Sequence, residues 1–200
     1  MYQNLEFSIK GVTPILMHNG GMSNPLNPIV RAIKSTTKKR LKTDEDLELL
    51  AKLEWLGGLY TTQPMNFNIQ GYNVTDVSAG HPCIPDSVLE SSIIAGAKKF
   101  KLGVQAKSGI RISGNSTLIG VKTVADLFAD PNYMDVRSVK VGQNRVMRCR
   151  PIFSDWAIKF TVEYLPEALD EAQVREIVEM TGKMVGLCDY RPKYGQFVVD

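Results

Sequence analysis

The sequence predicts an α+β fold, a largely antiparallel sheet with helices packed on one face and loops inserted between the elements. Three observations predict it. Apolar and polar residues alternate near both ends of the chain, at Leu5, Phe7, Ile9 and at Trp156, Ile158, Phe160, Val162, Tyr164. Apolar residues recur at helical spacing between and after those stretches, and a hairpin signal arrives late. Few β-α-β repeats can be drawn through that order, which argues against a parallel sheet.

Each element has its own justification. The first strand ends its regular pairing at Thr13-Pro14, because proline donates no backbone hydrogen bond. Residues 18 to 28 are rich in Asn, Gly, Ser and Pro and read as a loop, after which Pro28 opens a short helix to about Lys34. Thr43 is placed to cap a helix running to Trp55, with Asp44, Glu45 and Asp46 in its first turn and Gly57-Gly58 at its end. Leu47, Leu50, Leu53 and Leu56 are its expected apolar face. The chain is read as a single domain over 1–200, with a helical insertion at about 28–57 and irregular loops at about 63–82 and 103–120. The first of these loops is polar and Asn-rich, either a long loop or an irregular hairpin; the second is punctuated by Gly and Ser, with short strand-like pieces at 109–112 and 117–119. Between them, Pro85 begins a helix with Val88, Leu89, Ile93 and Ala97 facing the sheet. Residues 136–141 and 146–153 flank Gly142-Gln143-Asn144, a hairpin in whose second arm Arg148 and Arg150 share one face. A last helix, about 170–184, turns Val174, Ile177, Val178 and Met184 inward.

Composition narrows the function. Hydrophobic residues make up 44% and charged residues 22%, the balance of an ordinary globular protein. No apolar run reaches the eighteen residues of a membrane span, so no membrane partner is expected. The N-terminus lacks the basic and apolar segments of a secretory signal, and Cys83, Cys149 and Cys188 are isolated and odd in number. Together these place the chain in a reducing cytoplasm. The net charge is only +3, yet the cations are clustered. Lys38, Lys39, Arg40 and Lys42 form one run with Arg31 and Lys34; Lys98 and Lys99 lie in a second; Arg145, Arg148 and Arg150 lie in a third. Gathered on one surface, they would suit a polyanion; apart, they are three solvated faces.

The closing stretch, Val185 to Val198, is a basic, aromatic loop with Gly186 and Gly195 at its ends. Arg191 and Lys193 supply cations, Tyr190 and Tyr194 flat faces for bases, and consecutive amides in such a turn can cradle phosphate oxygens. The same residues also describe a helix cap followed by a tight turn into a strand.

Three segments together resemble a known family. They are the turn Gly11-Val12-Thr13-Pro14-Ile15-Leu16-Met17, the helix start Pro82-Cys83-Ile84-Pro85-Asp86-Ser87-Val88-Leu89, and the loop Gly186 to Gly195. In that order they are similar to the RAMP superfamily, and in particular to the repeated backbone subunits of CRISPR effector complexes. Asp86 stands where that family has Gly, and Glu90 where it has a basic residue. The segments at 55–60 and 148–153 also resemble those of small phage proteins. The resemblance implies an RRM-like or ferredoxin-like core, single-stranded RNA or DNA held along a basic groove, and assembly into a homo-oligomer or filament. Lys38, Lys39, Arg40, Lys42, Lys98, Lys99, Arg145, Arg148, Arg150, Arg191 and Lys193 are then the expected phosphate contacts, and Tyr190, Tyr194 and Phe67 the stacking residues. No carboxylate cluster of metal-ligand spacing, Zn pattern or P-loop appears in the sequence, so no cofactor and no metal is expected.

Turnover is not expected. RNA-cutting members of that family carry an aspartate in the loop after the first strand, and none lies between Thr13 and Thr43 here. A ribonuclease would draw on His18 or His81, the only histidines, each in a polar loop where a surface or capping role serves equally. Two further readings stand beside strand binding: a phage assembly or host-defence-modulating interaction protein, and a protein that binds a nucleotide second messenger.

Overall fold

The structure, a computed structural model, describes residues 1–200 apart from the side chain of Val141. The strands are β1 (Gln3–Gly11), β2 (Ile15–Leu16), β3 (Asn66–Gln70), β4 (Asn73–Ser78), β5 (Cys83–Ile84), β6 (Ile110–Ile112), β7 (Ser116–Thr117), β8 (Met134–Val141), β9 (Asn144–Phe153), β10 (Ala157–Tyr164) and β11 (Phe197–Val199). The helices are α1 (Pro28–Thr37), α2 (Asp44–Gly58), α3 (Asp86–Ala97), α4 (Gly103–Gly109), α5 (Val124–Ala129) and α6 (Glu171–Met184). Helices and several antiparallel sheets are mixed, so the α+β class holds. The chain folds as two compact units. The first comprises Met1–Ile15, Cys83–Val121 and Phe153–Asp200, and the second comprises Leu16–Pro82 and Lys122–Ile152.

The first unit is built on a four-stranded antiparallel sheet in the order β11-β1-β10-β6. The alternation read in the sequence sets its two faces, because side chains of a strand point to opposite sides. Leu5, Phe7 and Ile9 of β1 stand opposite Val162, Phe160 and Ile158 of β10, and all six are buried. Helices α3 and α6 pack together beside this sheet, and Gly96 allows their close approach: a Cβ there would lie 2.0 Å from Thr181 Oγ1. Trp156 covers Gly11 in the same way, and its indole donates to Thr13 O at 2.9 Å.

The second unit contains the β8–β9 hairpin, closed at Gly142-Gln143, together with α1, α2, α5 and the β3–β4 hairpin. Residues 63–80 thus form an irregular hairpin, with its register shifting between Asn66 and Asn68. Helix α2 carries the cap expected of Thr43: Thr43 Oγ1 accepts from Asp46 N–H, and Asp46 Oδ2 accepts from Thr43 N–H.

Several local expectations need correcting. The stretch 103–120 is not all loop, for it holds α4, in which glycine's poor helix propensity is outweighed by packing. A Cβ at Gly103 would meet Lys98 Cγ at 2.6 Å, and one at Gly109 would meet Ala168 Cβ at 2.8 Å. The buried face of α2 runs through Asp46, Leu49, Leu53 and Leu56, while Leu47 is exposed. Met184 is likewise exposed at the end of α6, where Thr181 and Gly182 take the inward positions.

Candidate functional site

The greater part of each of the three segments singled out in the sequence, residues 11–15, 83–89 and 186–195, lies in the first unit. Helix α6 ends at Met184, and the amides of Val185 and Gly186 both donate to Thr181 O. Gly186 and Gly195 have φ of +77° and +74°, and they bring two backbone segments so close that Leu187 N–H donates to Gly195 O at 2.9 Å. Gly195 N–H donates to Pro14 O at 2.9 Å, and Gln196 N–H donates to Thr13 Oγ1 at 2.9 Å, which ties the loop to the turn after β1. Arg191 Nη1 donates to Ser92 Oγ at 2.7 Å, which ties it to α3. The glycine amides are therefore used within the protein. What the loop offers outward is Tyr190, Arg191 and Lys193, all exposed, with the Tyr194 ring edge-on to Tyr190 at 5.8 Å. Lys98 and Lys99 are exposed at the C-terminal end of α3, roughly 9 Å along the helix from Ser92.

The strands of the sheet offer little stacking surface, and the one ring on the open side, Tyr2 just before β1, already lies 4.5 Å from the Arg111 guanidinium. Its face away from the buried side carries Glu6, Ser8 and Lys10 from β1, Lys159 and Thr161 from β10, and Arg111 from β6. Every aromatic residue in these strands, Phe7, Phe160, Tyr164 and Phe197, lies on the buried side. Recognition modules that read RNA on a sheet need aromatic side chains on the open face.

The remaining predicted cations belong to the second unit. Lys38, Lys39, Arg40 and Lys42 span the turn between α1 and α2. Lys39 Nζ bonds the buried carboxylate of Asp46 at 2.5 Å and lies 5.1 Å from the centre of the Tyr72 ring. The hydrogen bond from Lys39 holds Asp46 below its ordinary pKa, and that partner in turn raises Lys39. On the hairpin, Arg148 and Arg150 share a face as expected, and Arg145 falls on the opposite one. Arg137 stands directly across from Arg148, a like-charge pair that costs energy unless offset. Asp135 bonds Arg137, and Glu54 of α2 bonds Arg148 while accepting from Cys149 N–H at 2.9 Å. Phe67 is half-buried in β3.

Arg148 and Arg150 line a cleft of about 250 Å³ in this unit together with His18 and Lys34. Met22, Val30 and Ile33 supply apolar lining, and Glu54 is also in the wall. Glu54 was not singled out in the sequence. The signal for it was there, since it adjoins Leu53 and Trp55, both wholly buried, so that an acid at 54 comes within reach of the hairpin.

Burial raises the thiols of Cys83 to about 11 and of Cys149 and Cys188 to about 12, so all three are protonated at neutral pH. Among the described residues no group of three or more His, Cys, Asp or Glu could hold a metal ion. No helix is long and apolar enough to cross a membrane. Compared with protein-family models and with curated proteins, the sequence matches none.

Proposed function

We propose that the protein binds single-stranded nucleic acid, RNA above DNA, without turning it over, and that it does so as a member or relative of the RAMP superfamily. The observation that carries this reading is the exposed Tyr190-Arg191-Lys193 loop, anchored by Thr13 and Pro14 of the family-like turn after β1 and by Ser92 of α3, the helix that the second family-like segment opens. The element order of the first unit supports it. Taken as β1, α3, β6, β10, α6 and β11, with β5, α4 and β7 as additions and strand order β11-β1-β10-β6, that order is compatible with the β-α-β-β-α-β pattern of ferredoxin-like domains. With no aromatic side chain of the strands themselves on the open face, and Tyr2 engaged by Arg111, the strand is bound at the loop rather than across the sheet. Arg191 and Lys193 meet phosphates, Tyr190 stacks a base, and sequence preference is weak because the backbone takes most contacts. Copies assemble along the strand as a homo-oligomer.

The test is fluorescence anisotropy of a labelled oligouridine strand across a salt series. Each phosphate contact contributes a slope of about −0.7 in log affinity against log salt. Replacing Arg191 and Lys193 together by Ala should flatten the slope by about 1.4, and Tyr190→Ala should cost about 1–3 kcal/mol of binding with the slope retained. A salt response that both variants leave untouched removes the loop from the site.

The interaction-protein reading has one feature in its favour. An apolar groove of about 600 Å³ in the second unit is lined by Leu47, Val136 and Met147, which are each more than half exposed.

A further inference from the structure

The 250 Å³ cleft of the second unit pairs an apolar lining with an excess of positive charge. Its frame is fixed before any ligand arrives. Pro28 opens α1, whose first amides are capped by Asn27 Oδ1 accepting from Ile29 N–H at 2.9 Å. Met22 is seated on α2, where a Cβ at Gly57 would come within 2.2 Å of its sulfur. His18 is held from both sides along the chain: its carbonyl accepts from Tyr60 OH at 3.0 Å, and Met17 N–H donates to Pro151 O of β9 at 2.9 Å. Lys34, Arg148 and Arg150 bring three positive charges to the wall and Glu54 one negative charge, so the cleft attracts an anion.

The chemistry narrows the anion further. Guanidinium planes and the His18 imidazole are surfaces for a flat ring, while guanidinium and ammonium groups are the usual partners of phosphate oxygens. Glu54 uses one oxygen toward Arg148 and the other toward Cys149 N–H, and a carboxylate has about four lone-pair sites, so it can still accept from a ring amino group. The volume lies just below the roughly 300–1,000 Å³ of sites for drug-sized ligands, which suits one base with its phosphate.

We propose that this cleft is a binding site for a single nucleoside monophosphate unit, free in solution or as one splayed nucleotide of a strand. The base lies against Met22 and Ile33, and the phosphate faces Lys34 and Arg150. The site does not depend on strand binding by the closing loop, and either can fail without the other.

Calorimetric titration of the full chain with AMP, adenosine and inorganic phosphate tests the proposal. AMP should bind more tightly than either fragment. Lys34→Glu, at an exposed position where folding is not at risk, should weaken AMP about ten-fold and leave adenosine unchanged, and Arg150→Lys should weaken AMP as well. Two arms then separate the sources. Competition between AMP and a labelled oligouridine strand identifies a nucleotide within the strand, whereas AMP binding with undisturbed strand affinity identifies a free nucleotide. No binding of AMP, or binding that Lys34→Glu and Arg150→Lys both leave unchanged, overturns the proposal.

Discussion

A methyl group on residue 195 would sit 2.1 Å from Leu187 O, and the backbone there already has a φ of +74°. Both facts demand glycine. Gly195→Ala is therefore expected to lower stability by about 1–3 kcal/mol or more, read from the urea midpoint at constant slope, and to loosen the loop that presents Arg191. A variant as stable as the parent would show that the neck of the loop is less tightly drawn. The sequence made the need for a turn visible at this position but not how it would be used. Two glycines flanking cations also describe an anion cradle, and only the placement of Pro14 O and Thr181 O shows where their amides go. Thr181 is the local partner that a helix cap implies, but Pro14 lies far away along the chain and no local pattern encodes it.

Helix α2 shows the same division one level up. Its start was readable, because Thr43 followed by three acids is a capping signal with the right dipole sense. Its buried face was not, since leucines at 47, 49, 50, 53 and 56 satisfy two neighbouring registers. The choice between them follows from Asp46, which the cap turns inward to meet Lys39. Asp46 is held below its ordinary pKa of 3.8, so the stability gained from this pair is complete above that value and fades as the pH falls below it. Lys39 is held above 10.5, which leaves the pair intact through the neutral range. Lys39→Gln should thus be less stable than the parent at neutral pH, and the gap should close as urea titrations are carried into acid below 3.8. A gap that persists unchanged in acid would place the effect of Lys39 elsewhere, for instance in its contact with the Tyr72 ring.

For the molecule as a whole, the α+β class was legible and the two-unit division was not. Each unit is assembled from segments separated by long stretches of chain, whereas composition and periodicity speak only of neighbours. The expected phosphate contacts illustrate the limit, since Lys98, Lys99, Arg191 and Lys193 belong to one unit and the other seven cations, with Phe67, to the second. This discontinuity makes native contacts non-local, and non-local contacts slow folding. Stopped-flow refolding should accordingly show a main phase in milliseconds to seconds rather than microseconds. Trp55 and Trp156, one in each unit, report separately once Trp55→Phe has silenced the former. A microsecond phase carrying the full Trp156 signal would contradict the expected ordering.

Strand β1 has a further consequence for synthesis. It leaves the ribosome well before its partners, since the long one, β10, begins only at Ala157 and the short one, β11, at Phe197. At about 5–20 residues per second, roughly 7–30 s pass between translation of Gly11 and of Ala157. Throughout that interval Leu5, Phe7 and Ile9 have no sheet to join, so a nascent chain halted before Ala157 displays an apolar ribbon with two unsatisfied edges to any chaperone that meets it.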